Sequence, residues 1–239
     1  MQYEQLAHNE LKAWQKKMSR KPGIVDRMSK NMQVRLNRII PEKIHQALTT
    51  TIKQMVRGVL FGSAMGLPKK NNSASLLQIE EEVRKKIDFY KNTAAAEGGL
   101  TGAGGILLGL ADFPLLLGLK IKLLFDIAAI YGYDVNDYKE RLYILHIFQL
   151  AFSSQQHRRS VYQLIVDWDK KSKDLPTDIH AFDWRNFQQE YRDYIDLAKL
   201  AQLIPGIGAV VGLVVNYQLL KKLGVSAMNA YRMRMFSTK

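Results

Sequence analysis

The sequence predicts an all-α fold: a compact multi-helix domain with glycine-spaced apolar helices and a basic N-terminal helical extension. Three observations carry this. Apolar residues recur at helical spacing, and alternating strand patterns are scarce. The chain has 239 residues and only 6 prolines. Glycines repeat at four-residue intervals within apolar stretches, which places them on one helical face.

Taken in order, residues 4–20 form a polar, basic helix that stops near Lys21-Pro22-Gly23. From residue 24 to 40 the stripe Ile24, Val25, Met28, Met32, Leu36 and Ile39 makes a basic amphipathic helix, with Arg27, Lys30, Arg35 and Arg38 as its cations, and Pro41 ends it. A helix over 42–65 precedes a polar loop at 67–73. Ser75 and Gln78 then make a capping box for a helix that runs past Tyr90. That loop is the boundary candidate, separating a basic N-terminal helical region (1–72) from a helical domain (73–239).

Asp112-Phe113-Pro114 reads as an N-cap and first-turn proline for a helix over 113–131, with Gly132 as its stop. Asp134 and Asn136 cap a helix over about 136–153, and another follows over about 155–170. A loop then holds Asp174, Pro176 and Thr177. Asp183 caps a helix to about 203, Pro205-Gly206 breaks it, and helices over about 207–223 and 225–236 close the chain.

Gly58, Gly62 and Gly66 are spaced by four, as are Gly98 and Gly102, Gly105 and Gly109, and Gly208 and Gly212. Glycine costs about 1 kcal/mol against alanine inside a helix, so close helix packing or contact with lipid is the expected compensation. Residues 98–119 hold one acidic or basic residue, Asp112, and residues 200–220 hold none. Both approach bilayer-spanning length, but the breaks at Pro114 and Pro205 leave shorter runs. Packed helices are therefore expected ahead of hairpins that dip into the membrane, and those ahead of true spans.

Apolar content of 47% with 24% charged excludes global disorder, and the length suffices for a full core. The absence of cysteine excludes disulfides, zinc-thiolate sites and thiol catalysis. The net charge of +13 is concentrated: residues 1–70 hold 14 Lys/Arg against 4 Asp/Glu. Such an extension suits an anionic partner, phospholipid or nucleic acid, or else is a solvated face. No secretory signal is visible at the N-terminus, so the expected location is cytoplasmic, peripheral at the inner face of the cell membrane.

Catalytic motifs are mostly lacking. There is no His-Glu-x-x-His, Gly-x-Ser-x-Gly or Walker A pattern, and the five histidines are scattered singly, so no metal site and no cofactor are expected. Gly206-Ile-Gly208-Ala-Val-Val-Gly212 resembles a dinucleotide-binding pattern but lacks the preceding strand, which favours helix packing. Asp112 is a weak candidate for acid–base work, with Glu97, Tyr133 and Asp134, and Lys120 and Lys122 could join it; an N-cap role explains it better. Trp14 with nearby lysines, and Tyr231-Arg232-Met233-Arg234, offer basic and aromatic residues without a recognised nucleic-acid module, so that partner is not expected.

The stretch Ala96-Glu97-Gly-Gly-Leu-Thr-Gly-Ala-Gly-Gly, then Ala111-Asp112-Phe-Pro114, then Ile130-Tyr131-Gly132-Tyr133-Asp134, resembles the bacterial EcsC family. The tail Ile204-Pro205-Gly-Ile-Gly-Ala-Val-Val-Gly212, Asn216-Tyr217 and Ala230-Tyr231-Arg232 is similar to its C-terminal signature. The likeness covers roughly 75–236. It implies a bacterial, helical, membrane-linked setting, because the family is named for genes beside those of an ABC transporter, and it assigns no catalytic residue. The expected function is a non-enzymatic peripheral membrane accessory protein, linked to an ABC transporter or anionic lipid. The alternative is an enzyme or a small-ligand or lipid-binding protein with a pocket around Asp112. The oligomeric state is left open.

Overall fold

The computed structural model describes residues 2–20, 42–62, 66–68, 73–101, 105–153, 157–181, 183, 187 and 212–237, with side chains for all but 42–45, 95–101, 105–112 and 212–216. Among them are eight helices and no β-strand: α1 (Gln2–Ser19), α2 (Glu42–Phe61), α3 (Leu76–Thr101), α4 (Gly105–Tyr131), α5 (Tyr138–Phe152), α6 (Arg158–Ile165), α7 (Trp168–Lys171) and α8 (Gly212–Ser237). The expected helix over 24–40 with Arg27, Lys30, Arg35 and Arg38, most of the one over 183–203, and Gly102 and Gly208 lie outside the described residues.

The centre is a helical stack. α8 packs most extensively on α3, α3 on α4, and α8 also on α4 and α5. α1 lies on α8, α6 and α3, and α2 on α4 and α5. α1 buries Ala7, Leu11, Trp14 and Met18 at helical spacing, in the same apolar cluster as the residues of α3–α8. Trp14 and Arg232 are thus buried rather than presented to a partner.

Local chemistry sets several boundaries as the sequence indicates. Ser75 N donates to Gln78 Oε1 at 2.9 Å and Gln78 N to Ser75 Oγ at 3.4 Å, completing the capping box. Gly132 has φ 88°, with Gly132 N donating to Ala129 O at 2.9 Å and Tyr133 N to Ala128 O at 3.0 Å, a Schellman motif.

Four expectations are corrected. α4 begins at Gly105 and runs through Pro114, so the backbone at Asp112 is helical rather than an N-cap. A proline inside a helix costs about 3 kcal/mol, and in this 27-residue helix burial of Phe113, Leu116 and Leu117 on either side of it offsets that cost. The cap of α5 is Asp137, which accepts from Lys139 N at 2.9 Å, while Asp134 closes a local turn on Asn136 N at 2.9 Å. The 155–170 segment is divided: Asp167, at φ 54°, turns the chain between α6 and α7. α8 runs unbroken through Gly224, where a Cβ would stand 2.5 Å from Ile87 Cδ1. Gly224 is therefore a site of close approach between α3 and α8, and not a break.

Two buried ionic networks tie the tail to the core. Arg232 donates from Nε to Glu80 Oε1 at 2.6 Å and from Nη2 to Glu80 Oε2 at 2.5 Å, and its Nη1 reaches Glu10 Oε2 at 2.8 Å. Tyr3 and Tyr131 hydroxyls also donate to Glu80, at 2.5 and 3.2 Å. Arg234 pairs with Glu140 and Asp169, both at 2.6 Å, and lies 3.8 Å from the Tyr133 ring centroid. The Tyr231-Arg232-Met233-Arg234 sequence thus spends its charge inside the protein.

Candidate functional site

The site forms where α2 crosses α4. α2 buries Leu48, Ile52, Val56, Val59 and Leu60, which leaves Lys53, Gln54, Arg57, Gly58 and Phe61 on its outward face. On α4, Pro114, Leu117, Gly118, Ile121, Lys122 and Phe125 recur at helical spacing and face α2 across a cavity of about 380 Å³. Thr51, Gln54, Met55, Gly58, Val59, Gly62 and Leu67 line the other side.

Arg141 of α5 positions the end of α2. Its Nη1 donates to the carbonyls of Val59 (3.3 Å), Leu60 (2.9 Å) and Gly62 (2.8 Å), and its Nε to Val135 O at 2.7 Å. A cation there completes carbonyls that have no partner within the helix and meets the negative end of its dipole. Burial lowers the pKa of this guanidinium from its ordinary value.

The glycines are the unexpected part of the geometry. Gly58, Gly62 and Gly66 do not form one helical groove: α2 ends at Phe61, and Gly66 sits at φ 63°. Gly62 is required for another reason, since a Cβ there would strike the Gly58 carbonyl, to which Gly62 N donates at 2.8 Å. Gly58 and Gly118 face open space across the cavity; a Cβ at either would meet nothing within 4 Å. Gly98, Gly105 and Gly109 lie within α3 and α4, and Gly212 begins α8.

A buried polar cluster adjoins the cavity through its lining residue Lys122. Asp126 is 1% exposed. It accepts from Tyr90 Oη at 2.9 Å, pairs with Lys122, and lies 3.6 Å from Lys86 Nζ. Lys122 Nζ also donates to Gly66 O at 3.1 Å. Burial, with the neighbouring Asp126, pushes the Tyr90 phenol well above its ordinary pKa, so it stays a donor.

The four weak catalytic candidates are not brought together. Asp112 and the Tyr133–Asp134 pair are separated by 19 residues of α4, about 28 Å of helix. Tyr133 packs under Arg234, and burial pushes its phenol up to about 12. Asp134 is exposed in its turn. Glu97 and Asp112 are placed on α3 and α4 by backbone alone. Lys120 and Lys122 diverge: Lys120 is wholly buried, donating to Leu116 O at 3.3 Å, whereas Lys122 lines the cavity.

The EcsC protein family model matches residues 5–236. The chain belongs to the EcsC protein family. It is 47% identical over 231 residues to Protein EcsC of Bacillus subtilis (strain 168), which covers 96% of this chain and 95% of that protein. It is 36% identical over 145 residues to Uncharacterized protein YdbA of the same organism, covering 60% of this chain and 53% of that protein. No solved structure matches. The EcsC match begins at residue 5 rather than near 75, so α1 and α2 belong to the family unit, in keeping with the burial of α1 in the shared core.

Sequence reading missed Lys53, Arg57, Phe61, Gly118 and Asp126 as parts of this site. The i, i+4 spacing of Lys53, Arg57 and Phe61, and of Pro114, Gly118, Lys122 and Asp126, marks two helical faces but not what lies opposite each.

Proposed function

We propose that this EcsC-family protein is a non-enzymatic, peripheral membrane accessory protein whose α2–α4 face meets an anionic lipid surface. The supporting observation is the exposed stripe Lys53, Arg57 and Phe61 on successive turns of α2, the helix whose Gln54, Met55 and Gly58 line the apolar cavity. Phe61 is 54% exposed and Leu115 is 58% exposed, and each adjoins a cavity-lining residue, Gly62 or Pro114. Cations beside exposed apolar side chains are the chemistry of interfacial binding, in which lipid attraction and apolar burial add. The excess of positive charge in residues 1–70 acts in the same direction. No helix among the described residues is long and apolar enough to cross a membrane. A cytoplasmic position beside an ABC transporter, as the family's naming implies, would supply such a surface.

Vesicle flotation tests this. Recovery is expected with vesicles containing anionic lipid, to fall with added salt, and to be low on neutral vesicles. Each surface cation contributes about 1 kcal/mol. Lys53→Gln with Arg57→Gln should therefore weaken partitioning about 30-fold. Equal recovery in the soluble fraction with both vesicle types at low salt would overturn the proposal.

A further inference from the structure

The cavity between α2 and α4 has an apolar body and a charged end. Met55, Val59, Leu117, Ile121 and Phe125 supply carbon, and Lys122 supplies an ammonium. We propose that it takes one single-chain acidic amphiphile, the carbon chain lying between the helices and the carboxylate or phosphate at Lys122. This deepens the membrane reading, on which it rests for the source of the amphiphile.

Three observations converge on that ligand class. The volume, about 380 Å³, lies within the roughly 300–1,000 Å³ of small-molecule sites. Gly58 and Gly118, one from each facing helix, leave open the space that side chains would fill, and no neighbouring helix backbone presses into it. Glycines inside helices lower stability, and here no close packing offsets that, as suits positions kept open for a ligand.

The third observation is charge. Lys86 and Lys122 flank the single carboxylate of Asp126, which leaves one positive charge in excess, and both lysine side chains are 37% exposed. Asp126, itself fixed by Tyr90, holds Lys122 at the cavity end. Among the described residues the Lys122 ammonium gives two of its three donors to Asp126 and Gly66 O, and a headgroup oxygen suits the third. A neutral amphiphile would fill the carbon-lined part and leave that charge unanswered.

The test is calorimetry on the full chain without vesicles, using octanoate, decanoate, decyl phosphate and decanol below their micelle concentrations, with acetate and inorganic phosphate as headgroup controls. Saturable 1:1 binding of decanoate or decyl phosphate is expected, and the stronger of the two identifies a fatty-acid or a phosphate headgroup as the natural source. Affinity should rise about fourfold per methylene from octanoate to decanoate. Decanol should bind at least tenfold more weakly than the stronger acid, and Lys122→Gln should remove that difference. Acetate and inorganic phosphate should not bind measurably. Gly118→Leu, which fills open space, should lose tenfold or more of the decanoate affinity with an unfolding temperature no lower than wild type, and Gly58→Leu should do the same from the opposite wall. Absence of a saturable site for both acids, or wild-type affinity in both leucine variants, would overturn the proposal. Because no vesicle is present, a failure here leaves the flotation result standing, and a protein that does not float still reports on decanoate.

Discussion

Glu80 shows how a single buried carboxylate can organise a whole chain. It lies on α3, is 0% exposed, and receives Arg232 from α8, Tyr3 from α1 and Tyr131 from α4. Its two oxygens have so many donors that the ionised form is solvated by protein in place of water. Such a pair adds little net stability over an apolar substitute, but removing one partner strands the other charge. Glu80→Gln is therefore expected to cost about 3–5 kcal/mol in urea unfolding, since among the described residues it leaves Arg232 with the half-exposed Glu10 as its remaining carboxylate, beside the neutral Asn229. Glu81→Gln, at the exposed neighbouring position, should stay within about 0.5 kcal/mol. A small loss for Glu80→Gln would mean the network is not what holds α1 to α8.

At the scale of the helix, two glycines in similar sequence surroundings do opposite things. Gly224 lets α8 approach α3 so closely that a methyl group would overlap Ile87, whereas Gly118 faces the open cavity. Gly224→Ala should lower stability by about 1–3 kcal/mol through overpacking. Gly118→Ala should raise it by about 1 kcal/mol through helix propensity. Thermal unfolding of the two variants checks both signs, and equal shifts would contradict the assignment. This contrast also marks how far the sequence can be read. The capping box at Ser75–Gln78 and the stop at Gly132 were legible because they depend on residues a few positions apart. Pro114 and Gly224 were misread as boundaries because local propensity disfavours them inside helices, while burial of Phe113 and Leu117, and the packing of α8 on α3, override it. Periodicity marks a helical face but not what lies opposite, so Gly118 could not be told from a packing glycine.

For the whole molecule, charge is divided by role. The C-terminal arginines Arg232 and Arg234 are neutralised in buried pairs with Glu80 and Glu140, so the formal +13 is carried by other residues. Lys53 and Arg57, by contrast, are exposed on α2, and the acidic pair Glu81 and Glu82 is exposed on α3, which packs on α4 and α8. An anionic surface would favour the first face and repel the second. The all-α class and the family are legible in the sequence, but the cavity arises from α2 crossing α4, a tertiary arrangement between residues some 60 positions apart in sequence. No local pattern encodes it.

The absence of cysteine allows this orientation to be measured directly. Leu115→Cys and Glu82→Cys would each carry one nitroxide label, and oxygen and water-soluble nickel accessibility would be recorded with and without anionic vesicles. Vesicles should raise oxygen access and lower nickel access at position 115, leaving position 82 in water. Unchanged nickel access at 115 while the protein is vesicle-bound, or protection at 82 instead, would contradict an α2–α4 face turned toward the lipid.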